Sequence, residues 1–283
     1  MKAMMSKVRI IELTTDLWWS GEQKLGYMMV TGHFIDAKWV IHKRVLDFVN
    51  VPPPHTGEVL ARHLIKVMDD WGIKDRVVSI TVDNVSANDN CIQTLNEDIF
   101  SKWKLLLYGK LFHVRCCAHI LNLLVKDGLQ VIIESIEKIK GGVKHLVSSE
   151  RRCNNFNRIR LAQGLSDKLQ VLDNNARWNS TWFILSITCF YNTVCPRYAE
   201  EDSTFLNFLP TDIEWERVDD ICRFLEVFAD ATELISGSYY PTVNLFLGQL
   251  WKIKCLLNDH IELSTKRHLS VMAMKMQLKF DKY

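Results

Sequence analysis

Five short apolar runs lie in the first 128 residues, and they constrain the fold of this 283-residue chain more than any other feature. They cover residues 8–17, 26–35, 38–48, 76–83 and 110–116. Each run has the length and residue types of a strand. Between the third and fourth runs, apolar residues from Leu60 to Met68 recur at helical spacing. They predict a helix with Thr56 as its N-cap. A second helix is predicted over 87–103. The order is therefore three strands, helix, strand, helix and strand.

Beyond Gly128 the apolar residues recur at three- and four-residue steps, which predicts helices. One helix is expected over 131–146 and another over 215–235. Turn-forming residues at 236–242 end the second helix, and a third begins at Thr242 and runs past Cys255. We therefore predict an α/β domain over 1–128 and an all-helical domain over 129–283.

Composition indicates a globular protein of an intracellular compartment. The chain is 48% apolar and 24% charged, which argues against global disorder. No apolar run is long enough to span a membrane, and the first residues lack the apolar region of a secretory signal. The eight cysteines follow no regular spacing, so reduced thiols in cytosol or nucleus are expected.

The net charge of +2 conceals two stretches of opposite sign. Residues 104 to 180 hold 13 Lys/Arg against 6 Asp/Glu, a net of +7, and residues 199 to 235 hold 11 Asp/Glu against 2 Arg, a net of −9. The basic stretch suits a phosphate backbone, although a solvated helix surface explains the charge equally well. The acidic stretch argues against a chain that coats nucleic acid along its whole length.

Two aspartates come near the ends of strand-like runs, Asp16 in the first run and Asp83 at the end of the fourth. Carboxylates on neighbouring strand ends can share a divalent metal ion, which lowers the pKa of an attacking water and stabilises a transferring phosphoryl group. The alternative is that both are turn or capping residues, which are common where strands end.

Four segments in this order carry a family resemblance. They are Gly-Tyr-Met-Met-Val-Thr-Gly-His-Phe-Ile-Asp at 26–36, Thr-Val-Asp-Asn-Val-Ser-Ala-Asn-Asp-Asn at 81–90, His-Val-Arg-Cys-Cys-Ala-His-Ile-Leu-Asn-Leu at 113–123 and Ala-Arg-Trp-Asn-Ser-Thr at 176–181. Together they resemble the central region of hobo/Activator-type (hAT) transposases, in particular the plant RICESLEEPER and DAYSLEEPER group. The resemblance implies a ribonuclease-H-like core with a mixed five-stranded sheet, followed by part of an all-helical insertion domain.

The resemblance also assigns roles to the two acids. Asp16 then lies on the central first strand and Asp83 ends the adjacent, parallel fourth strand, as the first two catalytic acids. The family's third acid is a glutamate on the last core helix, and Lys279–Tyr283 resembles sequence upstream of that helix. We therefore expect an incomplete core with exposed apolar side chains, and a vestigial acid pair that binds Mg²⁺ or Mn²⁺ weakly. The alternative is an active metal-dependent transposase or nuclease, completed by a partner or by an acid that the motifs do not reveal.

Cys116 and His119 form the Cys-x-x-His pair of the family, which implies a role in organising the active centre. A zinc site needs four ligands, usually from two such pairs, and the sequence has no second pair. No zinc is therefore expected.

The predicted DNA contacts are Arg115, Arg151, Arg152, Arg177 and Trp178. Arg177 and Trp178 offer a cation and a flat ring suited to stacking on an unpaired base. The alternative is a helix entry at which Asn179 or Ser180 is the cap and Trp178 packs in the core. The sequence thus predicts a truncated or domesticated hAT-type protein of the nucleus, which binds DNA without complete strand-transfer chemistry. Expected partners are DNA and full-length hAT-type proteins, and no membrane.

Overall fold

The computed structural model describes residues 2–20, 25–100, 106–166, 178–237, 240 and 242–283. The chain divides into two compact units. The sheet unit comprises Met1–Ile120 with Gly237–Pro241, and the helical unit comprises Leu121–Ser236 with Thr242–Tyr283. The boundary predicted after residue 128 lies near the end of a helix, whereas this division falls earlier in the same helix, at Leu121.

Within its described residues, the sheet unit has five strands and three helices. The strands are β1 (Ile11–Trp19), β2 (Gly26–Ile35), β3 (Ile41–Asn50), β4 (Val77–Val82) and β5 (His113–Arg115); the helices are α1 (Lys2–Met5), α2 (Gly57–Trp71) and α3 (Ser86–Phe100), with a 3-10 turn at Leu106–Gly109. The predicted order of three strands, helix, strand, helix and strand is confirmed.

The strand order across the sheet is β3-β2-β1-β4-β5. β1, β2 and β3 form an antiparallel meander, whereas β4 is parallel to both β1 and β5. A parallel neighbour requires a crossover connection, and α2 supplies it between β3 and β4. The mixed five-stranded sheet of the ribonuclease-H-like type is therefore present, with β1 at its centre.

One face of the sheet packs against α2 and α3. Leu13, Val30 and Ile80 are fully buried there with Leu64 of α2 and Leu95 of α3. The predicted N-cap of α2 is confirmed, because the Thr56 hydroxyl accepts a hydrogen bond from the Val59 N–H at 3.4 Å.

The other face carries aromatic side chains on neighbouring strands. Tyr27 on β2 lies between Trp18 and Phe48, with ring centroids 5.8 and 5.2 Å away. Trp18 and Phe48 are 56% and 55% exposed, so this face presents apolar side chains to solvent. Asp16 shares this face with Trp18, since side chains alternate along a strand.

The described part of the helical unit is built from helices. The helices are α4 (Cys117–Leu129, which begins in the sheet unit), α5 (Ile133–Val147), α6 (Glu150–Ala162), α7 (Trp178–Phe190), α8 (Val194–Glu201), α9 (Asp212–Ile235), α10 (Val243–Glu262) and α11 (Arg267–Phe280), with 3-10 turns at Gln130–Ile132 and Ser203–Phe208. The three helices predicted from periodicity correspond to α5, α9 and α10.

Part of the helical core is aromatic. The Phe156 ring meets Tyr191 and Tyr198 edge-on, with centroids 5.6 and 5.7 Å apart. Thr211 and Glu214 form a capping box that starts α9. Among the helices that the structure describes, none is both long enough and apolar enough to cross a membrane.

Candidate active site

β1 and β4 are parallel neighbours, and their register ends two residues before Asp16 and Asp83. Leu13 pairs with Ile80 and Thr14 with Thr81 across β1 and β4. Asp16 lies two residues further along β1, and Asp83 follows directly after the last residue of β4. The predicted parallel pairing of β1 with β4 is confirmed, whereas the closeness of the two carboxyl groups stays a prediction. Their metal-binding role stays a prediction.

Cys116 and His119 lie beside Asp83, as predicted. The Cys116 N–H donates to the Val82 carbonyl at 3.0 Å, which holds the start of α4 against the end of β4. His119 Nδ1 then comes within 3.7 Å of Asp83 Oδ2. Burial raises the pKa of the Cys116 thiol. The thiol is therefore neutral at neutral pH.

Two asparagines, to which the sequence analysis assigned no role, fix the loop after β4. The Asn88 side chain donates to the Asp83 carbonyl at 3.0 Å, and the Asn84 side chain donates to the Cys116 carbonyl at 3.3 Å. Both belong to the 81–90 segment of the family resemblance. Their short spacing from Asp83 was the one sequence signal that could have indicated this role. The loop backbone is therefore held in place while the Asp83 side chain stays 41% exposed.

This donor set suits a hard cation. Mg²⁺ is typically bound through one or two carboxylates together with water and substrate phosphate, which Asp16 and Asp83 can provide from adjacent strands. Within the described ranges, no group of three or more His, Cys, Asp or Glu side chains is arranged to hold a metal ion.

Arg115 is the predicted DNA contact nearest to this pair. It ends β5 and pairs in register with Val82, the residue before Asp83. Its guanidinium lies 3.5 Å from Asp89 Oδ1 and 3.5 Å from Asn84 Oδ1, with 42% of the side chain exposed. The end of β4 and β5 therefore presents both the Asp83 carboxylate and a partly exposed cation.

The DNA contacts predicted in the helical unit differ in whether their side chains are free to reach DNA. Arg151 is exposed on α6. Arg152 donates to the Ser148 hydroxyl at 3.0 Å and lies 3.5 Å from Asp202 Oδ2, so its guanidinium already has protein partners. Arg177 lies outside the described residues.

Trp178 starts α7 and is only 3% exposed, so the core-packing alternative describes its position. Its backbone N–H donates to Asn122 Oδ1 at 3.3 Å. A buried ring leaves no face for a nucleobase. Stacking of Trp178 on DNA therefore needs a conformation other than this one.

The basic and acidic stretches neutralise each other within the helical unit. Lys138 pairs with Glu214 at 2.8 Å and Arg158 pairs with Glu201. Arg160 is buried and donates to the Leu165 carbonyl at 2.7 Å. The net charge of residues 104 to 180 therefore overstates the positive surface that can meet a phosphate backbone.

Comparisons with known proteins agree with this architecture. Residues 14–111 match the family described as the ZBED1 RNase-like domain, and residues 114–224 match the ZBED1 RNase-like helical domain. A maize protein named "Putative AC transposase" is 35% identical over 278 residues, which cover 95% of this chain and 34% of the maize protein. The chain belongs to the hAT-type transposase family.

Rice relatives of this hAT-type chain have similar sequence identity to it. Zinc finger BED domain-containing protein RICESLEEPER 2 is 33% identical over 275 residues, covering 96% of this chain and 38% of the relative. RICESLEEPER 1 is 32% identical over 270 residues, covering 94% of this chain and 37% of the relative. The hAT-type chain thus spans little more than a third of the length of the curated relatives it matches.

Proposed function

We propose that this hAT-type chain binds DNA in the nucleus, holds a divalent metal ion weakly between Asp16 and Asp83, and lacks complete strand-transfer chemistry of its own. The observation that supports the proposal is the parallel pairing of β1 with β4, whose register ends two residues before Asp16 and Asp83, together with His119 and Arg115 close to the end of β4. Membership of a transposase family supports DNA as the substrate class.

Asp16 and Asp83 would hold Mg²⁺ or Mn²⁺ through carboxylate oxygens. Such an ion lowers the pKa of bound water and stabilises negative charge on a phosphoryl group. His119, 3.7 Å from Asp83, would orient that carboxylate. Two protein carboxylates leave most positions of an octahedral ion to water and phosphate, so binding without DNA is expected to be weak.

Phosphate contacts would come from exposed cations in each unit. Arg115 lies at the strand end of the sheet unit, whereas Arg151 and Lys144 are exposed in the helical unit. Contacts of this kind supply affinity with little sequence preference, and they weaken steeply as salt rises because bound counterions are released.

Two arginines on α6 provide a matched test of DNA binding. Arg151 is exposed, whereas Arg158 lies two turns further along the same helix and is paired with Glu201. Arg151→Ala is expected to weaken duplex binding on all sequences and to reduce the salt slope by about 1. Arg158→Ala removes the same charge but should change affinity less than about twofold, since its carboxylate partner already competes with phosphate. Equal losses in both variants, measured by fluorescence anisotropy across a salt series, would count against the assignment.

Strand chemistry is tested on a hairpin and a nicked duplex with Mg²⁺ and Mn²⁺. Binding without cleavage is the expected result. Robust cleavage that disappears in Asp83→Asn would instead establish an active metal-dependent nuclease or transposase, completed by a further acid or a partner. Asp83→Asn should keep or strengthen DNA binding, because it removes a negative charge near phosphate.

A further inference from the structure

Trp39 lies at the tip of the β2–β3 hairpin in a backbone conformation that tryptophan rarely adopts. Its φ is 60°, in the left-handed region. Two hydrogen bonds close the loop: the Trp39 N–H donates to the Asp36 carbonyl at 3.0 Å, and the Asp36 N–H donates to the Val40 carbonyl at 3.1 Å. In three-residue hairpin loops of this kind, glycine is the usual residue at the left-handed position. Trp39 takes that position and is still 86% exposed, so packing does not explain why a tryptophan is there.

The Asp36 side chain holds this loop in place. Its carboxylate accepts hydrogen bonds from the Lys38 N–H at 2.8 Å and the Val40 N–H at 3.0 Å, and it lies 2.9 Å from His42 Nε2. His42, followed by the Val40 N–H, lowers the pKa of Asp36, so the carboxylate stays ionised at neutral pH. The Trp39 ring is therefore presented to solvent on a preformed loop, which lowers the conformational cost of binding a partner.

Tyr108 shows the same combination in another loop of the sheet unit. Its φ is 56°, and its side chain is 88% exposed. Among the described residues, Trp39 and Tyr108 are the two non-glycine residues with a positive φ. Both are aromatic, and both keep their rings in solvent. Strained backbone of this kind is concentrated at functional positions, since folding alone would favour glycine or asparagine there.

Strand topology brings the two loops towards one end of the sheet. β4 and β5 are parallel to β1, so all three strands begin at the same end. The β2–β3 turn lies at that end too, because β2 is antiparallel to β1 and Glu12 near the start of β1 pairs with His33 near the end of β2. Tyr108 lies in the turn that leads into the start of β5. Asp83, by contrast, follows the last residue of β4 at the opposite end.

Exposed cations accompany the two rings at this end of the sheet, namely Lys7, Arg9, Lys38 and Lys110. Among the described residues, none of the four has a carboxylate partner. Of the acids in the loops at this end, Asp36 is paired with His42 at 2.9 Å and Asp75 with Arg76 at 3.2 Å. Glu12 on β1 is exposed, so the free cations outnumber the free acids. Exposed rings beside cations suit single-stranded nucleic acid, because bases stack on the rings and phosphates meet the cations.

We propose that this end of the sheet binds a short stretch of single-stranded DNA, with bases stacked on Trp39 and Tyr108. Lys38 and Lys110 hold the adjacent phosphates. The strands β2 and β5, which lead to the two loops, are three strand spacings apart, or roughly 14 Å. A site of a few nucleotides spans that separation. A duplex offers no free base faces to the rings, so single strands are preferred. The residues differ from the duplex contacts proposed above, and the site goes beyond that function.

A labelled oligothymidylate of about 12 nucleotides is the probe, titrated with the 283-residue chain and followed by fluorescence anisotropy across a salt series. We expect saturable binding that weakens as salt rises. Trp39→Ala and Tyr108→Ala should each weaken it at least about fivefold, through loss of one stacked base. Phe48→Ala is the matched control, since it removes a 55% exposed ring near the other end of β3. Its affinity should stay within about twofold of wild type.

Trp39→Asn separates binding from folding. Asparagine adopts the left-handed region more readily than tryptophan does, so the urea midpoint should rise or stay unchanged in this variant. Oligothymidylate binding should nevertheless weaken as much as it does in Trp39→Ala. Lys38→Gln should reduce the salt slope, whereas Lys66→Gln should not, because Lys66 is already paired with Asp70.

Unchanged oligothymidylate affinity in Trp39→Asn or in Tyr108→Ala would overturn the assignment, as would an equal loss in Phe48→Ala. Tighter binding of an oligouridylate of the same length would overturn DNA as the bound strand in favour of RNA. Absence of saturable oligothymidylate binding would rule out a nucleic-acid site and leave a protein partner for the exposed rings. Duplex binding through Arg151 is measured with a different probe and a different variant, so either site can fail while the other stands.

Discussion

Asp83 in the sheet unit and Asp202 in the helical unit are the same residue type in opposite surroundings. Asp202 accepts hydrogen bonds from the Thr204 backbone at 3.1 Å and the Tyr198 hydroxyl at 3.2 Å, and its carboxylate lies 2.9 Å from His145 Nε2. The Thr204 hydroxyl, and then His145, hold the pKa of Asp202 far below its usual range. Asp83 meets His119 only at 3.7 Å and keeps 41% of its side chain exposed. A carboxylate saturated by protein donors stabilises the fold, whereas one with open coordination positions can serve a metal ion.

The largest expected effect on stability comes from a contrast between a buried and an exposed tryptophan. Trp178 is 3% exposed in the helical unit and Trp18 is 56% exposed in the sheet unit. Trp178→Ala should lower the free energy of unfolding by about 3–5 kcal/mol, since it leaves a large cavity. Trp18→Ala should cost less than about 1 kcal/mol. Urea denaturation of both variants measures this, and similar losses would show that Trp178 is not a core residue.

Replacing the two aspartates should separate stability from function. Asp202→Ala removes an N-cap and leaves partly buried donors on Tyr198 and His145 unsatisfied, so we expect a loss of about 2–3 kcal/mol. Asp83→Ala should change stability by less than about 0.5 kcal/mol. Chemical denaturation measures both losses of unfolding free energy. A larger loss in Asp83→Ala than in Asp202→Ala would contradict this contrast.

Part of the acid dependence of stability should come from the helical unit. The pKa values of Asp202 and Glu214 are lowered in the folded chain, with Thr204 and Lys138 as their respective largest causes. At acid pH the unfolded chain therefore binds more protons than the folded chain, and the stabilisation is lost as pH falls below about 4. Unfolding free energies between pH 2 and 6 should follow a shallower slope in Asp202→Asn. An unchanged slope in that variant would refute the assignment to Asp202.

The sequence predicted secondary-structure elements well wherever a single local sequence pattern determines them. Apolar residues over 26–35 correspond to β2 at the same bounds, and the Thr56 cap follows directly from hydrogen-bond chemistry. The adjacency of β1 and β4 required the family resemblance, because strand order does not determine strand pairing. No helix was predicted over α6, whose arginines interrupt any apolar face.

The charge pattern was harder to interpret, because partners distant in sequence decide which cations are available. Lys138 and Glu214 are 76 residues apart, yet they form one ion pair. Similarly, local sequence around Trp178 permits both a stacking ring and a core ring. Burial of the Trp178 ring by helices that are distant in sequence decides between these two roles.

Mn²⁺ binding followed by electron paramagnetic resonance tests the metal site most directly, because free and bound Mn²⁺ give different signal intensities. The wild-type chain should bind Mn²⁺ weakly, and both Asp16→Asn and Asp83→Asn should weaken it at least about tenfold by removing a carboxylate ligand. Asp202→Asn is the matched control and should bind as the wild type does. Mn²⁺ binding that is unchanged in Asp83→Asn, or is lost in Asp202→Asn instead, would contradict the assignment of the metal site to the strand ends of the sheet unit.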